Sequence, residues 1–210
     1  MSKLSYINSA AAAIQGLDLK GLFPSVIIAQ AGLESGWGES SLAKTYNNHF
    51  GMKKGSGTNW GGWTGQTVWL PTKEYIGGKM QTVNREFRVY PSFQASIADH
   101  NGLFFKLSRY KDVLTAKTPY EQVVAIKNGG YATDPGYVNK LMNLINENNL
   151  TRFDSTPGGG GSGNNGGGTT TTPSTMQTSK EYKMNTKTLS IVIIAAGLAL
   201  AALGGYNLLF

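Results

Sequence analysis

Apolar residues recur along residues 1–154 in a pattern that predicts helices interrupted by a single β region. Residues 22–33 form a nearly continuous apolar run, LFPSVIIAQAGL, which predicts a buried helix. A second helix is predicted after Ser92, and a third at the capping box Thr118-Pro119-Tyr120-Glu121. Asp134 followed by Pro135 predicts the start of another helix, whose apolar stripe comprises Val138, Leu141, Met142 and Ile145.

The segment 67–90 differs from these helices in composition. Thr, Val, Trp and Tyr are frequent there around a central Gly77-Gly78, which predicts a β-hairpin. Residues 1–20 are expected to form the first helix, because the apolar stretch at 10–14 is too short for a secretion signal. The expected fold class is therefore α+β, mainly α, with a helical lobe and a small β-hairpin lobe.

Composition divides the chain into a head and an anchor. Residues 1–154 are expected to form one domain, and the Gly/Thr-rich residues 155–179 a flexible linker. Residues 180–188 are expected to form a basic juxtamembrane segment. Residues 189–210 carry no charge, and as a helix they would extend about 33 Å, close to the roughly 30 Å hydrocarbon core of a bilayer. A single C-terminal transmembrane helix is predicted there.

The charge and the residue types restrict the chemistry. The chain has a net charge of +7, no cysteine and two histidines. Disulfides and thiolate metal sites are excluded, no metal cluster is expected, and no cofactor is predicted. A basic balance suits nucleic acid, anionic lipid or an acidic polymer such as bacterial cell wall. Because no long Lys/Arg block is present, nucleic acid is not expected as a partner.

The stretch AQAGLESGWG places a carboxylate, Glu34, at the end of the buried helix. On a helix, Glu34 shares a face with Ile27 and Ala31, which is expected to pack into the core. Desolvation disfavours the charged form of a carboxyl group and raises its pKa, as a general acid requires. Alternatively, Glu34 turns outward into water in the last helical turn. Position alone leaves both interpretations open.

Four motifs follow one another in the order AQAGLESGWGESSLAKTYNNHFGMK, TKEYIGGK, FRVYPSFQASIADH and GGYATDPGYVNKL. Together they resemble glycoside hydrolase family 73, the bacterial and phage N-acetylglucosaminidases that cut peptidoglycan. The resemblance covers roughly residues 5–150. It implies a lysozyme-like fold, in which a helical lobe and a β lobe flank a groove. It also implies cleavage of the β-1,4 bond between N-acetylglucosamine and N-acetylmuramic acid.

The resemblance also implies roles for two carboxylates. Glu34 would be the general acid, shielded by Trp37, and Glu74 in the predicted hairpin matches the second carboxylate of the family. Glu74 would activate the attacking water on the opposite face of the sugar. The alternatives are a solvated strand residue paired with Lys73 or Lys79, or a reaction assisted by the acetamido group of the substrate.

Further residues are predicted to contact or support the sugar. Asn48, Phe50 and Gly51 match a short strand of the family below the acid, and Tyr131 matches a tyrosine that faces the groove. His49 departs from the family, where an apolar residue is more usual. Either a substrate role or a core role is open for Tyr75 and Tyr137. Trp60, Trp63 and Trp69 either extend the groove or pin a tight loop, whereas His100 and Asp99 are expected to form hydrogen bonds within or on the domain.

The charges before the predicted span raise a question of topology. Lys180, Lys183 and Lys187 precede it and no charge follows, so the positive-inside rule places the head in the cytoplasm. A phage lysis protein, or a lytic enzyme in the internal membrane of a lipid-containing phage, would fit this arrangement. The expected location is a virion membrane or the bacterial inner membrane, and the expected partners are peptidoglycan, lipid and virion proteins. Competing functions are a muramidase, a lytic transglycosylase or a non-catalytic wall-binding virion protein.

Overall fold

A computed structural model describes residues 1–55 and 63–154 of the chain. Two 3-10 helices span Ser108–Val113 and Leu150–Phe153. The α-helices and strands are α1 (Lys3–Ile14), α2 (Pro24–Ser35), α3 (Ser41–Tyr46), β1 (Thr67–Ile76), β2 (Lys79–Arg88), α4 (Phe93–Lys106), α5 (Pro119–Asn128) and α6 (Tyr137–Glu147). The mainly helical domain with one hairpin is confirmed.

The predicted linker, juxtamembrane segment and membrane span, at 155–179, 180–188 and 189–210, lie outside the described residues. Within the described ranges, no helix combines the length and the apolar character needed to cross a membrane.

Helix α2 lies at the centre of the helical lobe. It packs against α1, α5, α6 and the final 3-10 helix, and its residues from Pro24 to Gly32 are all buried. The sequence predicts one buried face around Ile27 and Ala31, but neighbouring elements bury this part of the helix on every side. Few polar residues were needed along α2, which explains the nearly continuous apolar run.

Both ends of α2 are fixed by long-range and local contacts. Phe23 at the N-cap supplies no side-chain cap, and Asp154 takes that role. One carboxylate oxygen of Asp154 accepts from the Ser25 backbone N–H and the other from the Ser25 hydroxyl, each at 2.8 Å. At the other end Gly36 adopts φ +60°, the left-handed conformation that commonly terminates helices.

Local capping explains where two other helices begin. The side chains of Ser92 and Thr118 each accept a hydrogen bond from the third residue that follows, as the sequence predicts. Glu121 completes its motif differently, since its carboxylate accepts from the backbone N–H of Lys117. Helix α6 begins at Tyr137, two residues later than predicted, because Asp134 forms a turn with the Gly136 N–H instead of capping the helix.

The hairpin follows the predicted course. Its strands pair antiparallel from Thr67 opposite Arg88 to Ile76 opposite Lys79. Gly77 and Gly78 both adopt positive φ, as a tight two-residue hairpin turn requires. The register places Glu74 on the same face as the buried Phe87. On the opposite face, Trp69, Lys73 and Asn84 are exposed, whereas Arg88 at the base is buried.

Arg88 joins the base of the hairpin to the helical lobe. Its Nη1 donates to Asp99 on α4 at 2.7 Å, and its Nε donates to the Lys53 carbonyl at 3.0 Å. The Tyr90 hydroxyl donates to the same Asp99 oxygen. Asp99 therefore forms the hydrogen bonds expected of it. Because Arg88 is almost completely buried, this ion pair is shielded from solvent and fixes the two lobes at their junction.

Candidate active site

Glu34 occupies the last turn of α2 and is half-buried. Burial raises the pKa of its carboxyl group from 4.5 to about 7. The chain then reverses, with Gly36 and Trp37 both in the left-handed region. A positive φ at Trp37, which has a Cβ, is strained backbone of the kind that concentrates at functional sites. Of the two alternatives left open by position, the desolvated acid is the one that the structure supports.

Trp37 is held against the helix that carries the acid. A Cβ at Gly32 would lie 2.6 Å from Cζ3 of the indole, so glycine is needed for this close packing. The ring meets Tyr6 edge-on at 6.0 Å between centroids, and Nζ of Lys3 lies 5.2 Å from the ring centroid. Trp37 therefore packs against the helix two residues before Glu34. Its ring remains partly exposed.

Tyr131 and Tyr137 lie near the acid on its inner side. Burial raises the pKa of both phenols, and the negative charge of Glu34 raises it further. Nε2 of Gln30 donates to the Tyr137 hydroxyl at 2.9 Å. The Tyr131 hydroxyl lies 3.1 Å from Nε2 of His100. Both tyrosines are buried and close enough to Glu34 to feel its charge, and sugar contact stays a prediction for them.

Asn48, Phe50 and Gly51 form a turn, and the strand expected there is absent from this part of the described chain. Among the described residues, an isolated bridge pairs Lys53 with Phe87 close to this turn. The Asn48 side chain explains the turn. Its Nδ2 donates to the carbonyls of Met52 and Arg88, and its Oδ1 accepts from the Met52 N–H.

Burial of these three residues differs. Phe50 has no exposed surface and stacks on His100 at 3.8 Å between centroids, and Asn48 is 1% exposed. Gly51, at φ +63°, is the partly exposed member of the group. Asn48 and Phe50 are thus buried in the domain, and direct contact with a sugar remains a prediction for all three residues.

Glu74 is buried and forms ion pairs with two cationic side chains. Its carboxylate binds Nζ of Lys53 and accepts from Nη2 of Arg85 at 2.8 Å. Burial by itself would raise the pKa of Glu74, but the hydrogen bonds and charges of Arg85 and Lys53 outweigh burial and hold the pKa below its usual value. The expected alternative partners, Lys73 and Lys79, do not form this pair; the charges come from a preceding loop and from β2.

The tryptophans and Tyr75 occupy different positions. Trp63 donates from Nε1 to the Gln66 carbonyl, and its ring contacts Tyr90. Trp69 is 65% exposed, and the register puts it on the hairpin face opposite Glu74. Tyr75 lies on β1 opposite Met80. Trp60 lies outside the described residues.

One cluster near the acid was not anticipated. The Tyr6 hydroxyl lies 3.0 Å from both Nδ1 of His49 and Oγ of Ser35, the residue after Glu34. His49 also stacks on Phe93 at 3.6 Å between centroids, and burial lowers its pKa to about 4. His49 is therefore neutral near pH 7. Its unusual residue type in NNHFGMK was the only sequence signal.

Lys53, Arg85 and Gln30 were also not predicted as site residues. Lys53 and Gln30 both lie in the motif AQAGLESGWGESSLAKTYNNHFGMK, but their hydrogen-bond partners lie on other elements. In the described part of the chain, no group of three or more His, Cys, Asp or Glu side chains could hold a metal ion. What the arrangement offers chemically is a protonated carboxyl group at Glu34 and an ionised carboxylate at Glu74.

Known proteins resemble this chain in sequence and in fold. The family described as Glucosaminidase, mannosyl-glycoprotein endo-beta-N-acetylglucosaminidase, matches residues 10–150. A probable N-acetylmuramidase of Lactococcus lactis subsp. cremoris is 39% identical over 73% of this chain and 35% of its own length. The exo-glucosaminidase LytG of Bacillus subtilis is 38% identical over 63% of this chain and 46% of its own. The chain thus spans between about a third and a half of these curated relatives.

Solved structures agree with the sequence comparison. The catalytic domain of the autolysin Auto from Listeria monocytogenes is 34% identical, with a TM-score of 0.61 over 72% of this chain and 87% of that one. A peptidoglycan hydrolase mutant from Sphingomonas sp. A1 is 31% identical, with a TM-score of 0.58 over 72% of this chain and 97% of its own. Because the family match spans most of the described domain and these structures share its fold, the chain belongs to the glucosaminidase family of glycoside hydrolases.

Proposed function

We propose that this chain is a peptidoglycan hydrolase that cleaves the β-1,4 bond between N-acetylglucosamine and N-acetylmuramic acid, with Glu34 as the general acid. The observation that carries the proposal is that the pKa of Glu34 is raised whereas the pKa of Glu74 is lowered. Burial raises the pKa of Glu34 to about 7, while two cations hold that of Glu74 below its usual value. Carboxyl groups whose pKa values are pushed apart in this way are suited to acid and base roles at one pH.

In the reaction, the Glu34 proton passes to the glycosidic oxygen as the bond from that oxygen to the anomeric carbon breaks. Water then adds to the anomeric carbon as hydroxide, and a base must accept the proton that the water molecule releases. Glu74 is the proposed acceptor, since its lower pKa leaves it ionised in a pH window in which Glu34 still holds its proton. Assistance by the substrate's acetamido group is the alternative for this step, and it would make Glu74 dispensable.

Two names among the relatives favour different bonds. The Lactococcus lactis protein is described as a probable N-acetylmuramidase and the Bacillus subtilis protein as an exo-glucosaminidase. Muramidase chemistry is therefore the second candidate function, since it also proceeds from one glutamic acid in a lysozyme-like fold. The bond can be assigned only from the reducing sugar at the new chain end.

The test is mass spectrometry of the fragments released from purified peptidoglycan by the full chain and by its Glu34→Gln variant. Reducing-end N-acetylglucosamine is expected from the wild type, with a loss of about a thousandfold or more in the variant. Reducing-end N-acetylmuramic acid would assign a muramidase, and an anhydromuramic end a lytic transglycosylase. Wall binding without cleavage by either protein would contradict a hydrolase altogether.

We further propose that residues 189–210 anchor the head in a virion membrane or the bacterial inner membrane, as part of a phage lytic enzyme. The support is the uncharged apolar stretch preceded by Lys180, Lys183 and Lys187. Partition of the full chain into membranes, against a variant ending at residue 179, tests the anchor. A gene surrounded by host division or flagellar genes would contradict the phage origin.

A further inference from the structure

The Glu74 carboxylate is held by two cationic side chains from different parts of the chain. Arg85 on β2 donates from Nε to both oxygens, at 3.1 and 3.2 Å, and from Nη2 to one of them at 2.8 Å. Lys53 donates from Nζ to the other oxygen. Both oxygens therefore accept hydrogen bonds from charged donors, and these bonds fix the orientation of the carboxylate.

The two cations differ in origin and in exposure. Arg85 belongs to the hairpin itself, whereas Lys53 belongs to the segment before it, which Asn48 fastens to the backbone at Met52 and Arg88. The side chain of Lys53 is 18% exposed and that of Arg85 42%. Because solvent and salt screen exposed pairs most, Lys53 is expected to contribute more to the electrostatics of Glu74.

Other nearby charges are occupied elsewhere. Lys54 pairs with Glu86 at 3.1 Å, and the register puts Glu86 and Lys73 on the hairpin face opposite Glu74. Arg88 pairs with Asp99 on α4. Gln81, directly across from Glu74 on β2, is uncharged. In the described ranges, the ion-pair partners of Glu74 are thus Lys53 and Arg85.

We propose that Lys53 and Arg85 are positioning residues of the reaction, which hold the second carboxylate ionised and fixed between the loop before the hairpin and strand β2. This proposal rests on the proposed function, in which Glu74 accepts a proton from water. Without these cations, burial would favour the neutral carboxyl group, which cannot accept that proton. The two cations thereby set the lower pH limit of activity, while Glu34 sets the upper limit.

The experiment uses the full chain in detergent with purified peptidoglycan, and records reducing ends released between pH 3.5 and 8. Lys53→Met is expected to move the acidic limb of kcat upward by about 1 pH unit or more, which is the effect of removing an opposite charge in contact. Arg85→Met should move it less, and Lys53→Arg should restore the wild-type limb. Lys54→Met removes the same charge one residue away from Lys53 and should leave the limb unchanged.

A second readout does not depend on activity. Carboxyl resonances of ¹³C-glutamate titrate with pH, and the Glu74→Gln variant assigns the resonance of Glu74. Its midpoint should rise in Lys53→Met and not in Lys54→Met. An unchanged midpoint would overturn the proposal. A midpoint that rises while the acidic limb stays in place would show that the ion pairs hold Glu74 without serving the reaction, and loss of the proposed function would appear separately as wild-type protein that cuts no peptidoglycan.

Discussion

Gln30 on α2 and Tyr137 on α6 are joined by a 2.9 Å hydrogen bond from Nε2 to the phenol oxygen. Gln30 lies one helical turn before Glu34, and the charge of Glu34 acts on Tyr137. The bond is buried, so it ties the helix that carries the acid to the last helix of the domain at the level of the site. The tyrosine hydroxyl is thereby held in place.

Replacing Tyr137 with Phe should destabilise the domain and misalign the acid. Gln30 would keep its buried amide but lose the partner of Nε2, which costs about 1–3 kcal/mol for an unsatisfied donor. Urea unfolding and kcat on peptidoglycan measure the two effects. Tyr120→Phe is the matched control, because Tyr120 is an exposed large side chain and its hydroxyl should be dispensable. Equal stability of the two variants would contradict the importance of this bond.

The upper pH limit of activity should follow the protonation of Glu34. Its pKa is about 7, and the general acid must carry its proton, so kcat should fall about tenfold per pH unit above neutrality. A pH-rate profile of the wild type between pH 5 and 9 checks this. A limb near pH 5, the behaviour of an ordinary carboxyl group, would contradict the desolvated acid.

The same group should make stability depend on pH. Because the pKa of Glu34 is raised on folding, the folded state binds the proton more tightly. The stabilisation is fully present below about pH 4.5 and is lost as pH rises towards 7. The loss is at most about 3 kcal/mol. Burial lowers the pKa values of His49 and His100, so these groups act in the opposite direction, between about pH 4 and 6.5 for His49 and between about pH 3 and 6.5 for His100.

The free energy of unfolding of Glu34→Gln relative to the wild type isolates Glu34 from these histidines. In urea unfolding, the free energy of unfolding of the variant minus that of the wild type should be larger at pH 8 than at pH 5, because glutamine carries no charge to desolvate. A difference that stays constant between the two pH values would contradict a buried, proton-binding Glu34.

Local signals were enough to predict much of the fold. Ser92 and Thr118 cap the helices that follow them, and Gly77-Gly78 turns the hairpin, because each of these features depends on a few neighbouring residues. Asp134 shows the limit of such signals. An aspartate can cap a helix or close a turn, and only the surrounding packing selects the turn with Gly136.

The site depends on contacts that no local pattern contains. Glu74 and Lys53 are separated by 21 residues, and the acid's tyrosine neighbour Tyr137 is 107 residues from Gln30. Burial raises the pKa of Glu34, which fits the desolvated carboxyl group expected there, and its role as the acid stays a prediction. The motif resemblance could not distinguish side chains that reach the groove from those, such as Phe50, that are buried in the core.

Gly32→Ala should displace Trp37. The new methyl group would lie 2.6 Å from Cζ3 of the indole, so the ring must move away from the helix that carries Glu34. Overpacking of this kind costs about 1–3 kcal/mol. A displaced shield should also lower kcat by roughly tenfold to a hundredfold. Trp fluorescence and kcat report these changes. Gly136→Ala is the control, since its nearest contact is an ordinary 3.4 Å, and similar losses in both variants would contradict a specific clash.

Asp154→Asn tests whether the last described residue stabilises the catalytic helix. The carboxylate accepts at 2.8 Å from both the backbone N–H and the hydroxyl of Ser25, near the positive end of the α2 dipole. Asparagine keeps one acceptor oxygen and loses the charge, so a loss of about 1–2 kcal/mol is expected. Burial raises the pKa of Asp154, although the Ser25 hydrogen bonds oppose the rise. Thermal unfolding of the variant beside Asp112→Asn, an exposed aspartate, measures the contribution, and equal melting temperatures would show that α2 does not need this cap.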